Sequence, residues 1–333
     1  MAAPFRLPIA LLRRAMLSFG ASDWGALAGG WMGARALYGA IEAGGTKIVC
    51  AAGCGALDVP QQYRAVIPTT EPQETLEAVS AFFARIDAEA GRFRAIGLAS
   101  FGPIDVTPGS PTWGTVLATP KPGWSGVSMV APLARFGCPI ALDTDVNAAA
   151  LAEARLGAGQ GAHSLTYITV GTGIGGGAVE RGRSIRGALH PEMGHIRVRR
   201  DPRDTAFGGV CPFHGDCLEG LSSGPAIVAR WGAAMSALPD GHIGPEIIGG
   251  YLGQLAATVA LMLSSERIVF GGGVMSDGRV LPHIRAAARR ELAGYLPIEA
   301  RVGGFERLIT APQLGDRAGI AGAFLLAEAL IEP

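Results

Sequence analysis

Aromatic side chains are scarce in this 333-residue chain: Phe, Tyr and Trp together make up 7%. Few rings are therefore available as stacking platforms for bases. An excess of positive charge is also missing. Lys+Arg and Asp+Glu number 28 each, for a formal net charge of +0. Neither feature suits a phosphate backbone, so no nucleic-acid partner is expected. Uninterrupted apolar runs are lacking too. Polar residues and Gly break each one, and no stretch reads as a membrane-spanning helix. Cysteines are few and odd in number: Cys50, Cys54, Cys138, Cys211 and Cys217. In a chain of this size that points to a reducing compartment, the cytoplasm, and away from a disulfide framework.

What is abundant is glycine, with 50 residues, and apolar side chains, at 49%. The glycines follow no period, which excludes collagen. They cluster beside apolar runs, where tight backbone turns are useful. The length suits two domains, or one with two lobes. Residues 1–37 differ from the rest. "FRLPIALLRRAML" is short, apolar and basic, but Pro8 and the Arg13-Arg14 pair interrupt it early for a signal peptide. A disordered tail or an upstream extension of the true start is the preferred reading.

From Tyr38 the text becomes regular. "LYGAIEAGGTKIVCAAG" reads as strand, Gly turn, strand. "TLEAVSAFFARIDAEAG" carries apolar residues at helical spacing and stops at Gly91. "RAIGLASFGPID" is a buried strand entering a loop, and "PIALDTDVNAAALAEARLGAG" a strand, a polar turn and an Ala-rich helix. The second half repeats the idea. "SLTYITVGTGIGGGAVERG" is another strand–turn–strand, and "GQLAATVALMLSSERIVFGGGVM" a helix, a strand and a Gly turn. "GDRAGIAGAFLLAEAL" closes the chain as a helix with small residues. This alternation predicts an α/β protein of two similar lobes facing across a cleft.

"GTGIGG" matches G-x-G-x-x-G at Gly171, Gly173 and Gly176. A dinucleotide fold needs a helix next, whereas "GAVERG" reads as a second strand. No Walker pattern is present. A pair of hairpin turns explains the text better: Gly44, Gly45 and Thr46 in one, Gly171, Thr172 and Gly173 in the other. Gly lets backbone N–H groups approach phosphate oxygens and Thr adds a hydroxyl donor. Either turn alone reads as an ordinary tight turn; two in matching contexts favour phosphate binding. "GVCPFHGDCLEG" adds C-x2-H-x2-C, three zinc-type donors in Cys211, His214 and Cys217. A fourth ligand is needed. His195 of "HPEMGH" is preferred and His190 is the alternative. The plainer reading is a loop with two free thiols.

Together "IEAGGTK", "ASFGPID", "DTDVNAAALAEARLGAG", "TVGTGIGGG", "HPEMGH" and "CPFHGDCLEG" resemble the ROK family of sugar kinases, above all its bacterial fructokinase branch, from about Tyr38 to Ala329. The resemblance implies the two-lobed actin/hexokinase-like α/β fold, with ATP and a hexose in the cleft. It implies an N-terminal lobe over 38–147, a C-terminal lobe over 148–312, and a helix over 313–333 returning to the first lobe. It implies ATP, Mg2+ and Zn2+ as cofactors, phosphorylation of fructose, and a homodimer. Glucose, mannose or an N-acetylhexosamine are the competing substrates. A sugar-responsive repressor would need an added DNA-binding domain, for which 37 residues are too few.

By the same resemblance Asp145 is the base, while Asp143 is read from its place in the turn as a turn or helix-capping residue. Gly102, Thr144, Glu192, His195 and Glu219 bind sugar. Gly44, Gly45, Thr46 and Lys47, with Gly171, Thr172 and Gly173, bind ATP phosphates, and Gly271, Gly272 and Gly273 form the adenosine loop. Zinc is implied on His195, Cys211, His214 and Cys217. Glu42 stands where the family usually has Asp, and would hold Mg2+ through a water.

Overall fold

The computed structural model describes residues 36–331. The expected extension over residues 1–37 lies outside them apart from its last two residues. Two five-stranded sheets organise the chain. The first holds β1 (Tyr38–Ala43), β2 (Lys47–Gly53), β3 (Arg64–Pro68), β4 (Ala95–Ser100) and β5 (Ile140–Thr144), in the order β3-β2-β1-β4-β5. The second holds β6 (Ser164–Val170), β7 (Ile174–Glu180), β8 (Arg183–Ser184), β9 (Arg267–Gly271) and β10 (Ile309–Thr310), in the order β10-β9-β6-β7-β8.

Directions repeat as well as order. β1–β2 and β6–β7 are antiparallel hairpins. β4 then runs parallel to β1, as β9 does to β6. β5 lies parallel to β4, and β10 to β9. The two Gly-rich hairpins thus mark a true structural duplication. "GAVE", inside β7, is strand and not helix, so G-x-G-x-x-G here is no dinucleotide fingerprint.

The helices follow their sequence signals. α1 (Pro72–Ala90) opens with Pro in its first turn and ends at Gly91, φ 97°. It buries Val79, Phe82, Phe83 and Ile86, spaced three or four residues apart, on the first sheet's core. There Phe83 meets Phe93 and Phe136 edge-on, with centroids at 5.5 and 6.2 Å. α2 (Asp145–Leu156) starts directly from β5. The sequence boundary at 147/148 falls inside it.

After β8 come two short helices, α3 (Leu218–Ser222) and α4 (Gly224–Trp231), then α5 (Gly244–Leu263). By length and composition α5 is apolar enough to cross a bilayer, which was not expected from sequence. It is the main helix of the second core, burying Ile247, Ile248, Leu252, Leu255 and Val259. α6 (Leu281–Leu292) packs alongside, followed by α7 (Ile298–Val302) and α8 (Phe305–Leu308).

The last helix, α9 (Ala318–Glu328), packs on α2, β4 and β1. Its approach to α2 needs Gly322: a Cβ there would lie 2.0 Å from the Ala148 carbonyl oxygen. Small residues on both helices therefore set how the chain's end meets the first sheet.

Candidate active site

A cavity of about 470 Å3 is lined from both sheets. Glu42 of β1, Asp145 of α2, Thr169 of β6, the Gly271–Gly273 turn and Asp316 face it. Gly272 has φ 90°, and a Cβ on it would stand 2.4 Å from the Val170 carbonyl oxygen. Only glycine allows the backbone after β9 to lie so close to β6, and the result is an open shelf.

Asp145 sits where β5 becomes α2. Thr144 caps that helix, its hydroxyl accepting from the Asn147 N–H at 3.2 Å. The Thr144 side chain is therefore used by the fold. Asp143 is not the cap, contrary to expectation. It is fully buried, and its Oδ1 accepts from Asn147 Nδ2 at 2.7 Å and from the Thr144 N–H at 2.8 Å. Its Oδ2 pairs with Arg186 Nη2 at 3.2 Å. A residue that read as a local turn former is held by an arginine distant in sequence, because charge cannot be buried without a partner.

Burial pushes the Asp145 carboxyl up to about 7, and the negative charges of Glu42 and Glu192 push the same way. The Val146 N–H, 2.9 Å from Oδ1, opposes them. A carboxylate titrating near neutrality is a base of useful strength in water at physiological pH. Glu42 is likewise raised by burial, against Lys47 and a hydrogen bond from the Ile320 N–H at the start of α9.

The two hairpin turns occupy matching places in their sheets but differ by one residue, four between Ala43 and Ile48 and three between Val170 and Ile174. Gly44 N–H donates to the Lys47 carbonyl and Gly171 N–H to the Gly173 carbonyl, each at 2.9 Å. Gly45, Thr46, Lys47 and Thr172 are exposed. None of these turn residues lines the cavity itself. Lys121, which carried no sequence signal, donates to the Gly45 carbonyl and adds a cation beside the first turn.

A second set of side chains lies by Gly102. A Cβ on Gly102 would meet the His190 ring at 3.3 Å, and His190 Nε2 accepts from the Ile104 N–H, also at 3.3 Å. His190 Nδ1 is 3.4 Å from Glu192 Oε1. His190 is thus spent on the loop after β4 and on Glu192, away from the cysteines. Glu219, in α3, accepts from the Ile174 N–H at 2.8 Å and backs onto Gly173. Its other oxygen is 4.0 Å from His195 Nε2.

The opposite nitrogen of His195 faces the thiols. Nδ1 lies 3.5 Å from Cys217 Sγ and 3.8 Å from Cys211 Sγ, and Cys211 Sγ lies 3.7 Å from His214 Nδ1. The donor atoms of His195, Cys211, His214 and Cys217 all fall within 4.8 Å of one another. A tetrahedral zinc with ordinary bond lengths has sulfur–nitrogen edges of about 3.6 Å. The set therefore has the size and chemistry of such a site. None of the five cysteines is in a disulfide.

The model of the ROK family matches residues 38–329. The chain belongs to the ROK family. It is 44% identical to the fructokinase of Zymomonas mobilis, over 88% of this chain and 97% of that protein. A putative fructokinase of Bacillus subtilis is 42% identical over 89% and 97%. Among solved structures, the ROK hexokinase of Thermus thermophilus superposes with a TM-score of 0.70 at 29% identity, covering 89% of this chain and 99% of that one. The α/β fold of this ROK protein is that of the ROK hexokinases. Tyr167, Thr169, Ser276 and Asp316 line its cavity without having been singled out in the sequence.

Proposed function

We propose that this chain is a cytoplasmic fructokinase, transferring the γ-phosphoryl group of ATP to fructose to give fructose 6-phosphate. The observation that carries this reading is the identity of 44% and 42% to proteins named as fructokinases, along nearly their whole length. The residues fit the chemistry. The primary hydroxyl oxygen forms a bond to the γ-phosphorus while the bond to the β-phosphate bridging oxygen breaks and ADP departs. Asp145 takes the hydroxyl proton. Its raised proton affinity suits that task.

Mg2+ would supply charge neutralisation at the phosphates, and Glu42 and Asp316, two carboxylates of the cavity wall, would hold it. Gly271, Gly272 and Gly273 take the adenosine, and the N–H groups of Gly45 and Gly173, with Thr46, Lys47 and Thr172, take the phosphates, while those of Gly44 and Gly171 close the turns. Gly102, Glu192, His195 and Glu219 receive the sugar. Hydroxyl donors need acceptors once desolvated, and two carboxylates provide them. Thr144 contributes by capping α2 and so fixing Asp145.

His195, Cys211, His214 and Cys217 hold a structural zinc, since four protein donors leave no position for reacting water. Bound there, an ion would tie the stretch carrying Glu192 to the helix carrying Glu219. The division into lobes at 38–147 and 148–312, with the last helix on the first lobe, is supported by the one sheet on each side of it, although the boundary falls inside α2, and the working form is a homodimer.

The test is a phosphorylation assay over a panel of hexoses with Mg-ATP. Fructose should give the highest kcat/KM, with mannose and glucose weaker but active, because shared hydroxyl acceptors discriminate modestly. A clear preference for glucose or an N-acetylhexosamine would remove the fructose reading.

A further inference from the structure

Behind the catalytic face, a second cavity of about 540 Å3 opens between α2, α9 and the β7–β8 hairpin. Its polar lining is unusual in sign. Arg155, Arg183, Arg186 and His163 face it, and no carboxylate does. Arg155 and Arg183 are exposed and make no ion pair among the described residues. Ser184 Oγ, also in the lining, is buried without a hydrogen-bond partner among those residues. Leu151, Leu325 and Leu326 form an apolar wall. The volume is that of a small-molecule site. Unpaired guanidinium groups around an apolar wall suit an anion with several oxygens and a compact organic body.

We propose that this cavity binds a phosphate monoester of sugar size, and that occupancy lowers turnover through Arg186. Arg186 is the shared element. Its side chain is 33% exposed, and Nη2 pairs with the fully buried Asp143 at 3.2 Å. Asp143 in turn holds Asn147 and the Thr144 N–H, the bonds that seat the first turn of α2 and with it Asp145. Arg186 Nη1 also donates to the Val106 carbonyl at 3.4 Å, in the loop that follows Gly102. A phosphoryl group that engages Arg186 from the cavity competes with Asp143 for it and loosens the seat of the base. The ligand needs two or more negative charges to offset the pair it weakens, which favours a phosphate over a carboxylate. The binding does not depend on the fructokinase reading; the effect on turnover does.

The experiment compares the full chain with a double Arg155→Ala, Arg183→Ala variant. Both changes are at exposed positions outside the catalytic residues, so folding and basal turnover should be retained, as circular dichroism and melting would verify. Equilibrium dialysis with labelled fructose 6-phosphate should find two equivalents per wild-type chain, one at the product position. The variant should keep one and bind the second at least about tenfold more weakly, a loss of ~1.4 kcal/mol. Inorganic phosphate in a parallel arm should displace the second equivalent only; displacement at equal concentration assigns the site to the phosphoryl group alone. With wild-type protein, fructose 6-phosphate should lower kcat at saturating sugar, and the variant should lose that effect. Equal stoichiometry in both proteins overturns the site. Inhibition that saturating sugar fully relieves overturns the route through Arg186.

Discussion

Replacing Asp145 by Asn separates the base from the scaffold that holds it, because the two effects have opposite signs. In the free protein, burial moves this carboxyl from 3.8 to about 7. At 1.36 kcal/mol per pH unit the ionised form costs about 4 kcal/mol, an upper value because the side chain faces a cavity. The protonated carboxyl contributes its full stability below pH 3.8. That contribution is lost as the pH rises and is gone above about 7. Asn carries no charge and avoids the loss. The variant, free of nucleotide and Mg2+, should therefore melt above wild type at pH 8, by roughly 5 °C, with a smaller gap at pH 5. Its turnover should fall about 1,000-fold with sugar affinity kept within about tenfold. Wild-type kcat/KM, which reports the free protein, should rise with pH through about 7. Scanning calorimetry at two pH values and a coupled ADP assay measure all of this. A variant less stable than wild type at pH 8 would refute the desolvated carboxylate, and near-normal turnover would remove Asp145 as the base.

Metal analysis of purified protein should find one zinc per chain, lost in Cys211→Ser or Cys217→Ser together with thermal stability; metal-free protein that is stable and active would make the knuckle decorative. Asp143→Ala should cost about 3 kcal/mol in urea unfolding, since it strands Asn147 and Arg186 without their buried partner; a loss below about 0.5 kcal/mol would show that the pair is not structural. Gly272→Ala should raise the KM for ATP or prevent folding, because its Cβ would press on the Val170 carbonyl. Unchanged ATP kinetics in a folded variant would take the shelf out of the nucleotide site.

Much of this protein was legible in the chain itself. Hairpins with Gly turns, the α1 stripe ending in Gly91 and the small-residue last helix are local signals, set by backbone conformation and apolar spacing, and all appear as strands and helices. The C-x2-H-x2-C run is local too, since its donors lie within one turn of chain. What sequence spacing leaves open is every choice made across the fold. His195 and His190 were both eligible as the fourth donor. Only packing places His195 beside the thiols and spends His190 on Ile104 and Glu192. Asp143 and Asp145 are two residues apart in one polar turn. The strand end turns one inward to Arg186 and the other to the cavity, where desolvation raises its proton affinity. The change from strand to helix after Thr144 separates their directions, but dielectric surroundings and distant partners decide their chemistry, and those exist only once the two sheets and α9 have closed around them.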